Sequence, residues 1–139
     1  MPLIETDTIY SFLNKNDPLH KYADTIFNMI NDGKLTVKIS SVSLIEMQLI
    51  YKSKDIEYEF EMDLIDLLRI KNIDWAPLNV TSVLTAIHLR KKYELSFFDS
   101  LHVGIAFNLD KQIISNDKIY DNIAGLKRIP LADFEKEDS

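Results

Sequence analysis

Leu35-Thr36-Val37-Lys38-Ile39-Ser40-Ser41-Val42-Ser43-Leu44-Ile45-Glu46 is the stretch that decides the fold class. Apolar Leu35, Val37 and Ile39 alternate with Thr36, Lys38 and Ser40, the period-two pattern of a strand with one polar face. Val42, Ile45, Leu49 and Ile50 then recur at helical spacing, so the strand runs straight into a helix with these residues as its apolar stripe. Upstream, Leu3 to Thr6 is a short apolar opening, followed by a helix-like stretch from Ile9 to Leu13 and a break at Asn14 to Pro18. Asp17 is expected to cap the next helix and Pro18 to take its first position. Leu19, Ala23, Ile26 and Ile30 carry that helix until Asn31-Asp32-Gly33 stops it. Downstream, Ile56, Phe60, Leu64 and Leu67 mark a helix, Ile73 to Leu78 a weak strand, and Val80, Val83, Leu84 and Ile87 a helix closing in Arg90-Lys91-Lys92. A helix from Phe97 to Leu109 precedes short strands at Gln112 to Ser115 and Lys127 to Leu131. Strands alternating with helices predict a parallel sheet covered on both faces.

A chain of 139 residues, 46% hydrophobic and 27% charged, fits one domain. No repeat or linker divides it, and residues 1–133 are read as the domain, with 134–139 as a charged, frayed tail. No apolar run reaches the roughly 18 residues of a membrane span, and Glu5 and Asp7 come too early for a secretory signal, so a soluble cytoplasmic protein is expected. Zero cysteines exclude disulfides, thiolate metal sites and cysteine nucleophiles. Three dispersed glycines, Gly33, Gly104 and Gly125, cannot form the nucleotide-binding glycine motifs, so no cofactor of that kind is expected. A net charge of −6 argues against a generic nucleic-acid coat without excluding a nuclease whose acids hold metal.

In parallel α/β sheets ligands bind beyond the carboxyl ends of the strands. Asp7 follows the opening strand and Asp117 follows Ile113-Ile114-Ser115-Asn116, which puts both at one edge. Glu46 shares the face of Val42, Leu49 and Ile50, and Asp99 that of Val103 and Ala106, so both carboxylates point inward. Two unit charges about 4 Å apart repel by roughly 4 kcal/mol at an effective dielectric near 20, so converging acids call for a counter-ion. Oxygen ligands suit magnesium or manganese, and with them phosphodiester hydrolysis.

The series Thr6-Asp7-Thr8, Ser40-Ser41-Val42-Ser43-Leu44-Ile45-Glu46, Leu95-Ser96-Phe97-Phe98-Asp99-Ser100-Leu101-His102-Val103 and Ile114-Ser115-Asn116-Asp117-Lys118 resembles the PIN domain, most of all the VapC-type toxin ribonucleases. The resemblance spans nearly the whole chain, and its third and fourth blocks are the specific ones. It implies a three-layer α/β/α sandwich on a central parallel sheet and an endoribonuclease dependent on Mg2+ or Mn2+, leaving 5'-phosphate and 3'-hydroxyl ends. The family's acidic tetrad falls on Asp7, Glu46, Asp99 and Asp117, as catalytic groups and metal ligands alike. Ser115 or Asn116 would help order the site, and Asp121 matches an acid that in some members reaches the metal. A cognate antitoxin and a homodimer are implied as partners. The short opening strand, with Glu5 in it, and the acidic net charge depart from the pattern; the first leaves the tetrad intact, the second bears on how RNA is gripped.

Blander readings exist for each residue. Ser43-Leu44-Ile45-Glu46 fits a capping box, Asp99 a dipole-favoured acid at a helix start, and Asp117 a turn former. None explains why all four fall where one site gathers them. His102, one turn after Asp99, is conceivable as a ligand or base, but a histidine on an apolar helix face is more often a packed core residue. His20 and His88 have no acidic partner at ligand spacing, Arg90-Lys91-Lys92 reads as a solvated helix end, and Trp75, Phe97 and Phe98 read as core. Glu5-Thr6-Asp7-Thr8 superficially resembles the haloacid-dehalogenase opening, but the nucleophile position holds Glu. The remaining alternative is a catalytically silent PIN-like module that binds RNA or protein, against which stands the intact set of mutually repelling acids.

Overall fold

The computed structural model describes residues 1–135. Its strands are β1 (Leu3–Ile4), β2 (Lys38–Ser40), β3 (Trp75–Ala76), β4 (Gln112–Ile114) and β5 (Lys127–Ile129), all parallel in the order β3-β2-β1-β4-β5. The helices are α1 (Thr6–Leu13), α2 (His20–Asn31), α3 (Val42–Ser53), α4 (Glu57–Leu68), α5 (Val80–Tyr93) and α6 (Phe97–Phe107). Alternation along the short strands sorts them between two layers. Ile4, Ile39 and Ile114 face a core built with Ile9, Ile26, Phe27, Met47 and Leu67 of α1 to α4, whereas Leu3, Ala76 and Ile113 face Ala86, Leu101, Val103 and Ile105 of α5 and α6. The three-layer α/β/α sandwich on a parallel sheet is therefore the observed architecture.

The order in which strands are added reverses at β1, which pairs in parallel with β2 on one side and β4 on the other. The crevice beyond the carboxyl ends of β1 and β4 is thus the switch point of the sheet.

Several local expectations are corrected. Asp17 does not cap α2: its carboxylate accepts from Leu19 N at 2.8 Å in a turn, and the helix begins at His20. The apolar stripes assigned to α3 and α5 are exposed in part, although Val42 of α3 is buried. Ile45 and Leu49 are 53% and 52% exposed while Met47 and Tyr51 are buried; Val80 and Leu84 are 76% and 64% exposed while Ser82, Ala86 and Leu89 are buried. Phe97 is exposed as well, under the Arg90 guanidinium. Phe134, read as the start of the tail, packs partly buried against the α1–α4 core; residues 136–139 of that tail lie outside the described residues.

Small residues on α5 allow a close approach to α6, and Asn79 ties the two together. Its Oδ1 accepts from Ser82 N and Ser82 Oγ, both at 2.9 Å, and from Asn108 Nδ2 at 3.1 Å. Asn79→Ala removes this cap, and thermal unfolding should show a loss of about 1–2 kcal/mol. An unchanged melting temperature would contradict the cap's role.

Candidate active site at the carboxyl edge of the sheet

Glu5 is the first residue beyond β1 and is 6% exposed. Leu3 and Ile4 pair with neighbours on both sides, and Glu5 N still donates to Ile114 O at 3.3 Å, so its side chain is delivered into the crevice by the central strand. Burial pushes its carboxyl well above the usual range, and the charges of Asp7, Glu46 and Asp99 push it further. Hydrogen-bond geometry places Asp7 and Glu46 beside Glu5: Ser115 Oγ reaches both Glu5 and Asp7, and His102 Nε2 lies near both Glu5 and Glu46. Sequence reasoning set Glu5 aside as a departure, although its place directly after a strand is the signal that singled out Asp7 and Asp117.

Asp7 lies in the first turn of α1, half-buried. Its Oδ2 accepts from Ser115 Oγ and Asn116 N, each at 2.8 Å, and its Oδ1 faces Thr8 Oγ1 at 3.3 Å. Burial raises its pKa, while the hydrogen bonds from Asn116 and Ser115 oppose that rise. Ser115, fully buried, also stands 3.1 Å from Glu5 Oε2 and accepts from Asp117 N at 3.1 Å. The serine hydroxyl and the Asn116 backbone N–H thus serve the same carboxylate.

Glu46 projects from α3 between Thr6 and His102. Thr6 Oγ1 bonds to its Oε1, and His102 Nε2 lies 3.0 Å from the same atom. Against the burial that raises it, these bonds hold Glu46 below its ordinary pKa. α3 has no side-chain cap and begins after Ser41, so Glu46 is directed into the site and not back to its own helix start. His102 is fully buried, as expected, but in polar company. Its Nδ1 lies 2.8 Å from Ser40 Oγ, and its Nε2 lies 3.1 Å from Thr6 Oγ1 and 3.6 Å from Glu5 Oε1.

Asp99 sits in the first turn of α6, where Ser96 Oγ accepts from Asp99 N at 3.2 Å. Capping is thereby Ser96's task, and the Asp99 carboxylate accepts from Tyr120 OH at 3.2 Å. Tyr120 is fully buried, and burial together with the charges of Glu5, Asp99 and Asp7 drives its pKa upward, so it stays a neutral donor. Asp117 stands exposed at the rim, its Oδ1 accepting from Ile119 N at 3.0 Å in a short 3₁₀ turn, Lys118–Asn122. Both carboxylate oxygens of Asp121 accept from Arg128, Oδ1 from Nε at 2.9 Å and Oδ2 from Nη2 at 3.1 Å, while Arg128 Nη1 donates to Ser115 O at 3.2 Å. Thr6, Tyr120 and Arg128 were not found from sequence: a threonine, a tyrosine and an arginine acquire their roles only through neighbours distant in the chain.

Oxygen donors therefore dominate the crevice, with one imidazole among them. Ligand atoms of Glu5, Glu46 and His102 all lie within 4.8 Å of one another, a spacing that admits a single cation. Burial and the neighbouring carboxylates both disfavour a charged Glu5, and a divalent cation would offset both. The residues present thus fit such an ion.

No curated sequence matches the chain. In fold it is similar to a chain in the crystal structure of VapBC2 from Rickettsia felis bound to a promoter DNA fragment. That match has a TM-score of 0.73 and 16% identity, covering 92% of this chain and 96% of that one. DNA-bound VapBC from Salmonella typhimurium gives 0.69 and 16%, covering 94% and 99%. A toxin-antitoxin complex from Klebsiella pneumoniae gives 0.63 and 14%, covering 91% and 95%. The PIN domain family model matches residues 3–126, from the first strand through the site's last acid, and the chain belongs to that family.

Proposed function

We propose that the protein is an Mg2+- or Mn2+-dependent endoribonuclease and the toxin of a toxin-antitoxin pair. The observation that carries this reading is the convergence of buried Glu5 with Asp7 and Glu46 at the switch point of the sheet, Ser115 Oγ reaching both Glu5 and Asp7 and the ligand atoms of Glu5, Glu46 and His102 lying within 4.8 Å of one another. Asp7, Glu46, Asp99 and Asp117, joined by Glu5, would hold the cation directly or through water, Asp117 from the exposed rim. When bound, the ion supplies Lewis-acid polarisation of a phosphodiester and lowers the pKa of a water nucleophile.

The chain's own residues prepare that chemistry by fixing the carboxylates. Thr6 and His102 hold Glu46, Ser115 and the Asn116 backbone hold Asp7, and Tyr120 holds Asp99. Such supporting hydrogen bonds set ligand orientation before the ion arrives. Hydrolysis in this site would leave 5'-phosphate and 3'-hydroxyl ends. The toxin role is supported by the likeness in fold to chains from toxin-antitoxin complexes, and with it come a cognate antitoxin and a homodimer as partners.

Cleavage of a panel of structured and single-stranded RNAs with Mn2+ or Mg2+ tests the reading. Wild type should cut only with the ion, and Asp99→Asn should lower the rate at least about 100-fold. The variant's metal-free melting temperature should be equal or higher. No cutting by wild type, or equal cutting by both, would turn the assignment to a silent binding module.

A further inference from the structure

We infer that His102 is itself a ligand of the cation, so that its imidazole joins Glu5, Glu46 and the other carboxylates in a mixed nitrogen-oxygen centre. The inference rests on the metal-dependent reading of the same site and adds to it the donor that selects the metal. A divalent ion about 2.1 Å from each donor places adjacent donors about 3.0 Å apart in octahedral and about 3.4 Å apart in tetrahedral coordination. His102 Nε2 stands 3.0 Å from Glu46 Oε1 and 3.6 Å from Glu5 Oε1, which brackets those edges.

The other ring nitrogen meets the second requirement of a histidine ligand. Imidazoles that bind metal almost always donate their remaining N–H to a fixed polar group. Here Nδ1 faces Ser40 Oγ at 2.8 Å, at the end of β2 and fully buried. A hydroxyl both donates and accepts. Without the ion, Ser40 can donate to Nδ1 while Nε2–H bonds Glu46; with it, Nδ1–H donates to Ser40 and the Nε2 lone pair is released to the metal. A satisfied core histidine explains full burial, but it does not require the ring to aim one nitrogen at two buried or half-buried carboxylates on different elements. A nitrogen donor favours transition ions over Mg2+, so Mn2+ is the expected resident of the two.

Electron spin-echo envelope modulation of the full chain loaded with Mn2+ alone, without RNA, tests this. Wild type should show 14N modulation that converts to the 15N pattern in protein grown on 15N-histidine. His102→Gln should lose the modulation and bind Mn2+ about 10- to 100-fold more weakly, with a smaller change for Mg2+. Should His102→Gln fail to fold, the His20→Gln/His88→Gln double variant keeps the question open to decision. Its modulation should persist, since these histidines lie elsewhere, His20 bonded to Ser11 O and His88 exposed. Bound Mn2+ without nitrogen modulation, or modulation lost in the double variant, would overturn the ligand assignment and leave the metal-dependent nuclease standing. No Mn2+ bound by wild type would overturn both.

Discussion

Glu5→Gln is expected to raise the metal-free melting temperature at pH 8 and to remove most of the stabilisation that Mn2+ confers. The sign follows from linkage. In the folded chain Glu5 holds its proton above its ordinary value of 4.5, so over that range the native state binds more protons than the unfolded state, and stability falls as pH rises. Below 4.5 both states are protonated and the penalty vanishes; above the folded value it is complete. Glu46 acts oppositely, since its lowered value makes a contribution that is present above 4.5 and lost as the solution turns more acidic. Asp7, raised as well, adds to the Glu5 penalty, so metal-free wild type should lose stability from mildly acidic pH toward pH 8, and the gain from Glu5→Gln should grow over the same range. Melting curves from pH 4 to 8, with and without Mn2+, decide the matter. A variant that melts lower than wild type at pH 8 without metal would make Glu5 a structural residue and remove it from the site.

Gly104→Ala should cost about 2–4 kcal/mol and lower the melting temperature by roughly 10 °C. Alanine is intrinsically better than glycine inside a helix by about 1 kcal/mol, so a helix-propensity argument predicts the opposite sign. Packing decides against it. A Cβ at position 104 would lie 2.2 Å from Ser82 O and 3.2 Å from Ala86 Cβ, so α5 and α6 would have to separate. Backbone carbonyls do not rotate aside as side chains do. Because α6 also carries Asp99 and His102, the separation should reach the crevice and weaken Mn2+ binding as well. A neutral or stabilising Gly104→Ala would show that the helices do not approach this closely.

The corrections to α3 and α5 share one cause. α3 and α5 are apolar on more than one side, and counting hydrophobic residues chose the larger ones: Ile45 and Leu49 in α3, Val80, Leu84 and Ile87 in α5. The buried faces belong instead to Met47 and Tyr51, and to Ser82, Ala86 and Leu89. A helix buries the face that its neighbour can approach. On α5 that neighbour is α6 at Gly104, where only small side chains fit.

By itself the sequence determined the alternation of strands and helices, the parallel sheet that follows from it, and the placing of acids just past strand ends or at helix starts. These are properties of short segments, legible because strand and helix periodicities differ and because capping and turn chemistry is local. Tertiary structure decided which carboxylates share a crevice, with Glu5 at their centre. It also decided that Asp121 pairs with Arg128, that Tyr120 serves Asp99, and that the buried His102 bonds Ser40, Thr6 and Glu46. Those assignments depend on distances between residues up to about a hundred positions apart, as between Asp7 and Ser115. Only the packed sheet sets such distances, because local propensity fixes the direction of a side chain along its own element and leaves its partner open.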